Sequence, residues 1–460
     1  MSASREPQGR GVVVTTRDPA RRTAVDVILA VDERDAYSNL LLPSLLRERS
    51  ITGVDAAFAT ELTYGTLRRA GVLDIVLGRC ARRPAVDLDP PVRAVLRLGA
   101  YQLLHTRIPA HAAVSTTVEM CREVVGHRPS GLVNAVMRRV AEQDWVGWVE
   151  RLAPRDDPVG RLAFDRGYPR WIAAALLDAL GGDVDELDRA LVDERPVTHL
   201  VARPGRISRD DLLAASGASA VPGPWSPYAV RLGGGDPRAI AAVRDGRAAV
   251  QDEGSQLVAM ALASAEVDGQ EAWWLDGCAG PGGKAALLAV DRAEHRARLV
   301  DSALAGAAGT LSVVADATRP CWRAGGFDRV LVDVPCSGLG ALRRRPEMRW
   351  RRRPEDVARL AAVQRDLLEG ALAAVRVGGV VGYATCSPHR AETTEVVDSV
   401  LAGRRDIETV DACALLPGVP DVGSGPAVRL YPHRHGTDAM FVAVLRRKLP
   451  APPRVPPEIS

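Results

Sequence analysis

Lysine is nearly absent from this chain. Of its 60 basic residues only Lys284 and Lys448 are lysines, and arginine supplies the rest. Lys448 stands close to the end of the sequence, where chance suffices. Lys284 stands inside a glycine cluster, a place for a compact point charge rather than a fork. Long apolar runs are also missing. No stretch approaches the roughly 18 apolar residues of a membrane span, and the opening "MSASREPQGRGVV" lacks the apolar core of a signal peptide. A cytoplasmic protein without membrane partners is expected. The seven cysteines are odd in number and form no CxxC pair, which argues against a disulfide framework or a zinc site. Free thiols and no bound metal are expected. A strong charge of either sign is absent too. The net charge of +3 neither demands nor excludes nucleic acid, because one basic face can exist on a balanced whole.

What is present is an ordinary globular composition over 460 residues, 47% apolar and 25% charged. At roughly 100–200 residues per domain, that length predicts two to four domains. Residues 1–18 and 449–460 are expected to be disordered. Residues 19–145 read as all-α: "PVRAVLRLGAYQLL" puts Val92, Val95, Leu96, Gly99 and Leu103 on one face, and "GLVNAVMRRV" does the same with Leu132, Val133, Val136, Met137 and Val140. Residues 146–250 read as a small α+β linker, with a helix in "PRWIAAALLDALGG" and a strand in "VTHLVARP". Residues 251–448 alternate strands and helices, the pattern of a mostly parallel, doubly wound α/β sheet.

Four stretches carry chemistry. In "WWLDGCAGPGGKAA" a strand ends at Asp276 and runs into a glycine-crowded turn, which lets backbone approach a ligand closely. It is neither a Walker A loop nor a dinucleotide fingerprint; adenosyl binding suits it, with Lys284 free to reach a carboxylate. In "VLVDVPCSGLG" Asp333 and Cys336 leave a strand at its C-terminal end, the ligand side of an open α/β sheet. "VGYATCSPHR" brings Cys386 to another strand end. A lone buried cysteine is more often an apolar filler, but two at two strand ends in one sheet point to function. From the residues alone, either thiol could be the nucleophile. In "RRRPEMRWRRRPE" seven arginines crowd residues 343–353 around Trp350. Rather than a solvated charged loop, that stretch is expected to clamp phosphates and stack a base through Arg343, Arg344, Arg345, Arg349 and Trp350.

Together with "QDEGSQLVA" and "PHRHGTDAMFVAVLRR", these motifs occur in the order found in the bacterial Fmu/Sun-type small-subunit (16S) ribosomal RNA cytosine-C5 methyltransferase B family, which the chain resembles over nearly its whole length. "AAFATELTYGTLRRAGVLD" and "GLVNAVMRRV" resemble the NusB-like RNA-binding domain of that family. The resemblance implies a NusB-like helical domain, a linker and a Rossmann-like methyltransferase domain using S-adenosyl-L-methionine. It implies Cys386 as the nucleophile on cytosine C6, Cys336 as the thiol that aids product release, and Asp333 as the carboxylate on the cytosine edge and near the cofactor. It implies that Cys278, Ala279, Gly280, Pro281, Gly282, Gly283 and Lys284 hold the methionine end of the cofactor, with Asp291 on the ribose and Asp316 on the adenine amine. Small-subunit ribosomal RNA is the expected partner, DNA is not, and the protein is expected to act as a monomer.

One departure stands out. Asp291 comes only eight positions after Gly283, where such folds place a helix and a strand before the ribose acid about 20 residues on. Either the helix and most of the second strand are lost, or another acid such as Glu294 serves. An RNA-binding protein with a degenerate methyltransferase domain is therefore the alternative. A DNA methyltransferase is a third possibility, disfavoured by the helical domain and by Cys386.

Overall fold

The computed structural model describes residues 18–192, 195–280, 288–291, 311–314, 316–319 and 322–449. The expected disorder of both ends concerns residues that, but for Asp18 and Leu449, lie outside this set. Packing divides the chain into two units. The first runs to Tyr168 and takes in Arg345–Glu347; the second comprises Pro169–Arg344 and the chain from Met348 onward.

Among the described residues of the first unit, all regular structure is helical, led by Pro19–Arg34, Gly53–Ala81, Pro90–His105, Ala110–Val124 and Ser130–Val140. The Asp18 side chain caps the first of these by accepting the Arg21 N–H at 2.9 Å. The apolar stripes close on one core that includes Ile28, Leu62, Leu73, Leu96, Val133, Val136 and Met137. Leu132 lies on the flank of its stripe and stays 36% exposed. The helices Trp145–Leu152 and Pro158–Arg166 also pack with this unit, not with the region expected to be the linker. The anchor is Trp148, buried in the same core, whose indole N–H donates to the Val140 carbonyl at 3.1 Å.

The second unit begins with the helix Arg170–Ala179, which ends in Gly181 and Gly182, both at positive φ. A small antiparallel sheet follows, made of β1 (Thr198–Ala202), β2 (Val221–Pro222), β3 (Ala229–Leu232) and β4 (Ala248–Val250) in the order β2-β3-β1-β4. The larger sheet contains β5 (Trp274–Asp276), β6 (Leu288–Asp291), β7 (Leu311–Val314), β8 (Phe327–Asp333), β9 (Val375–Thr385), β10 (Ile407–Val410), β11 (Val428–Leu430) and β12 (Met440–Arg447). Its order is β10-β12-β9-β8-β5-β6-β7, with β11 also on β12. The strands β9-β8-β5-β6-β7 are parallel, and β12 adds antiparallel to β9.

Both faces of β8 are covered, which explains the consecutive apolar residues Val330, Leu331 and Val332. Val330 and Val332 pack against Leu368 and Leu372 of the helix Pro354–Ala374. Leu331 points to the other face and meets Leu257, Val258 and Leu262 of the helix Glu253–Ser264.

Of the two alternatives for the stretch after the glycine loop, loss of most of its strand does not match the structure. Leu288–Asp291 forms β6, in parallel register with β5 through Asp276–Ala289 and with β7 over all four residues. A strand this short persists because neighbours on both sides satisfy its backbone. Residues 277–287 make the whole connection from β5 to β6, near the lower limit for a parallel crossover of about a dozen residues.

Candidate active site

The parallel register of β8 and β9 aligns Asp333 with Ala384. The next bond, from Val334 N–H to the Ala384 carbonyl at 2.9 Å, carries the pairing past the end of β8. Two Cys-Ser turns therefore leave adjacent strands side by side. Cys336 Sγ lies 3.3 Å from Cys386 Sγ, and both residues are half-buried. Gly340 N–H donates to the Cys386 carbonyl at 2.9 Å, crossing from one turn to the other. Glycine is required there, because a Cβ at position 340 would meet the Ala439 carbonyl oxygen at 2.2 Å.

The hydrogen bond from Cys386 pulls the Cys336 thiol below the ordinary range, against burial and the nearby charges of Glu392 and Asp333. Either sulfur can be the donor in this contact.

Beneath them lies a polar cluster. Glu392, fully buried, accepts Ser337 N–H at 2.7 Å and the Gln364 amide at 3.2 Å on Oε1. Its Oε2 accepts the hydroxyls of Ser337 and Ser387, the latter at 2.6 Å. Gln364 also donates to the Pro335 carbonyl at 2.9 Å, and Tyr383 Oη donates to the Glu392 carbonyl at 2.7 Å. None of these polar groups was singled out from sequence. The signal available was the repeated Cys-Ser dipeptide at 336–337 and 386–387.

On the other side of β8, β5 ends at Asp276, whose Oδ1 accepts Cys278 N–H at 3.2 Å. Gly277 N–H returns to the Leu331 carbonyl at 2.8 Å. Ala279 is buried and Cys278 half-buried. Gly280 has φ +54°, in the left-handed region, so the turn is built for a residue without a side chain. Asp291 is the last residue of β6. Asp316 follows β7 and is half-buried, with Oδ1 accepting Thr318 N–H at 3.1 Å and the Thr318 hydroxyl at 2.7 Å. A glycine turn and acids after successive parallel strands, all at C-terminal ends, fit an adenosyl ligand. Pro281, Gly282, Gly283, Lys284 and Glu294 lie outside the described residues.

The arginine-rich stretch is corrected in part. Arg343 is buried and donates from Nε to Asp438 at 2.8 Å and from a terminal nitrogen to the Gly436 carbonyl at 2.9 Å. Arg344 bonds Asp438 at 2.9 Å, Asp252 at 2.6 Å and the Val197 carbonyl at 3.2 Å. Arg349 is fully buried. Arg343 and Arg344 tie interior carboxylates together, and Arg349 is buried, so these side chains do not present their charge to a phosphate backbone. Burial alone would raise the Asp252 carboxyl, yet the His199 hydrogen bond and the charges of Arg344 and Arg343 hold it well below the usual range. Trp350 is half-buried. Arg345 is exposed in the first unit, 5.5 Å from the Tyr37 ring centroid.

Known proteins resemble the chain along both units. The NusB family profile matches residues 18–142, and that of the 16S rRNA methyltransferase RsmB/F matches residues 260–446. Ribosomal RNA small subunit methyltransferase B of Pseudomonas putida is 32% identical over 418 residues, covering 86% of this chain and 92% of its own length. The chain belongs to that methyltransferase family. A Mycobacterium tuberculosis relative, named only as a methyltransferase, is 52% identical over 462 residues, covering 96% of this chain and 99% of its own length. The crystal structure of PH0851 matches with a TM-score of 0.78 over 94% of this chain and all of that one; at 19% identity it speaks for the fold. The cofactor of this methyltransferase family member is S-adenosyl-L-methionine. No helix among the described residues is long and apolar enough to cross a membrane.

Proposed function

We propose that this protein methylates C5 of a cytosine in small-subunit ribosomal RNA through a covalent bond between Cys386 Sγ and cytosine C6. The observation that carries the reading is the 3.3 Å contact between the Cys386 and Cys336 sulfurs, beside Asp333 at the C-terminal edge of the sheet. C5 of cytosine is a poor nucleophile. Addition of the Cys386 thiolate to C6 forms the S–C6 bond and moves an electron pair onto C5. Asp333 holds the pyrimidine edge near N3. S-adenosyl-L-methionine, when bound, supplies an electrophilic methyl group; Cys278 to Lys284, Asp291, Asp316 and Asp333 would hold it. A base then takes the C5 proton, the C5–H electrons re-form the double bond, and the S–C6 bond breaks with its pair returning to Cys386. Cys336, next to the departing sulfur, assists this release. The target base must leave any stack to reach these groups. The substrate is RNA and not DNA, and the protein acts as a cytoplasmic monomer.

Variants on RNA containing 5-fluorocytosine test the assignment. Cys386→Ala abolishes both methylation and the covalent adduct, whereas Cys336→Ala accumulates a protein–RNA adduct on ordinary substrate. If the Cys336 variant is the one that forms no adduct, the roles are reversed.

The short connection over residues 277–287 favours a second reading, an RNA-binding protein whose methyltransferase domain no longer holds its donor. Titration calorimetry with S-adenosyl-L-methionine separates the two, since absence of heat at millimolar ligand supports the second.

A further inference from the structure

We propose that Glu392 is a positioning residue, a buried carboxylate that clamps the two Cys-Ser turns so that the Cys336 and Cys386 thiols stay in contact. The inference rests on reading those thiols as the reacting pair. Glu392 is 0% exposed and sits in the short turn Arg390–Glu392 that follows the Cys386 turn. Each carboxylate oxygen receives two donors. Three of the four come from the residues that directly follow the cysteines: Ser337 through its N–H and its hydroxyl, and Ser387 through its hydroxyl. The fourth, Gln364, simultaneously holds the Pro335 carbonyl. The Cys336 turn is thus gripped on both sides of the thiol, and Arg352 Nε closes it by donating to the Ser337 carbonyl at 2.9 Å. The Cys386 turn is gripped through Ser387, whose hydroxyl also receives His389 N–H at 3.2 Å.

Two observations separate this role from ordinary core polarity. First, none of the four hydrogen-bond donors to the carboxylate is cationic. A carboxylate buried on neutral donors alone is an expensive way to fill a core. Second, its charge works against a thiolate at Cys336. Its contribution must therefore be geometric. With both oxygens occupied and no exposure, it has no free lone pair for substrate, so it acts through the cysteines.

The test reads the thiols without RNA or methyl transfer, so it stands even if the cytosine reading fails. Diamide takes two electrons and two protons from a thiol pair and leaves a disulfide. Cross-linking of Cys336 to Cys386 in the full-length protein is followed by peptide mass spectrometry. Misplacement by about 1 Å costs up to roughly a hundredfold in rate. Glu392→Ala is therefore expected to slow the cross-link at least about tenfold, while Glu392→Gln stays within a few-fold of wild type because the serine hydroxyls can turn to accept its amide. Methylation should lose kcat with KM for RNA unchanged. A folded Glu392→Ala protein that cross-links at the wild-type rate overturns the proposal. Should the Glu392 variants fail to fold, Ser387→Ala decides: a slowed cross-link supports the clamp, and an unchanged one overturns it.

Discussion

Cys336 and Cys386 differ in what each sequence motif makes of them but share one chemical environment. Because the hydrogen bond from Cys386 is the largest influence holding the Cys336 thiol down, removing it raises that thiol's pKa and shrinks its thiolate fraction at neutral pH. Cys386→Ala should therefore slow iodoacetamide labelling of Cys336 at neutral pH, and the difference should fade above the ordinary thiol range, where both proteins are ionised. Cys386→Ser keeps a donor and should fall between them. An unchanged rate in Cys386→Ala would mean that the sulfurs do not share a proton. The thiols were legible in the sequence because each ends an apolar run. Their partner Glu392 was not, since neither glutamate of "HRAETTEV" carries a pattern that distinguishes burial from solvent.

At the scale of elements, the arginine-rich stretch shows how composition can mislead. Seven arginines in eleven residues resemble a phosphate clamp, yet Arg343 and Arg344 bridge Asp252 before the helix Glu253–Ser264 to Asp438 before β12. Asp438 N–H adds a bond to Asp252 at 3.0 Å. Replacing both Arg343 and Arg344 by Ala leaves the buried carboxylates of Asp252 and Asp438 without a guanidinium partner and should destabilise the second unit by about 3–5 kcal/mol. Urea unfolding measures this. A variant with unchanged stability and weakened RNA binding would restore the clamp. Sequence gave no warning, because the partners lie about 90 positions away on either side. The strand β6 was hidden for a related reason: four residues carry too little alternation to register, and the ladder on both sides supplies what the local pattern lacks.

For the whole molecule, the two units imply separable behaviour. The residues at the ends of β5, β6 and β7 that are proposed to hold the cofactor all belong to the second unit. Saturating S-adenosyl-L-methionine should therefore raise only one calorimetric transition, by about 2.7 kcal/mol of stability at a hundredfold excess over Kd. A shift of the helical unit alone, or of neither, would contradict this placement.

The sequence by itself determined the element types apart from β6, the helical first unit, the alternation of strands and helices in the second, and the thiols and acids at strand ends. Those follow from local periodicity and from motifs that are contiguous along the chain. Only the tertiary structure decided which groups meet. It brought Cys336 and Cys386 to 3.3 Å across 50 positions, seated Glu392 beneath both, and turned Arg343 and Arg344 inward. Register between parallel strands fixes those encounters, and register is a property of the assembled sheet that no single segment contains.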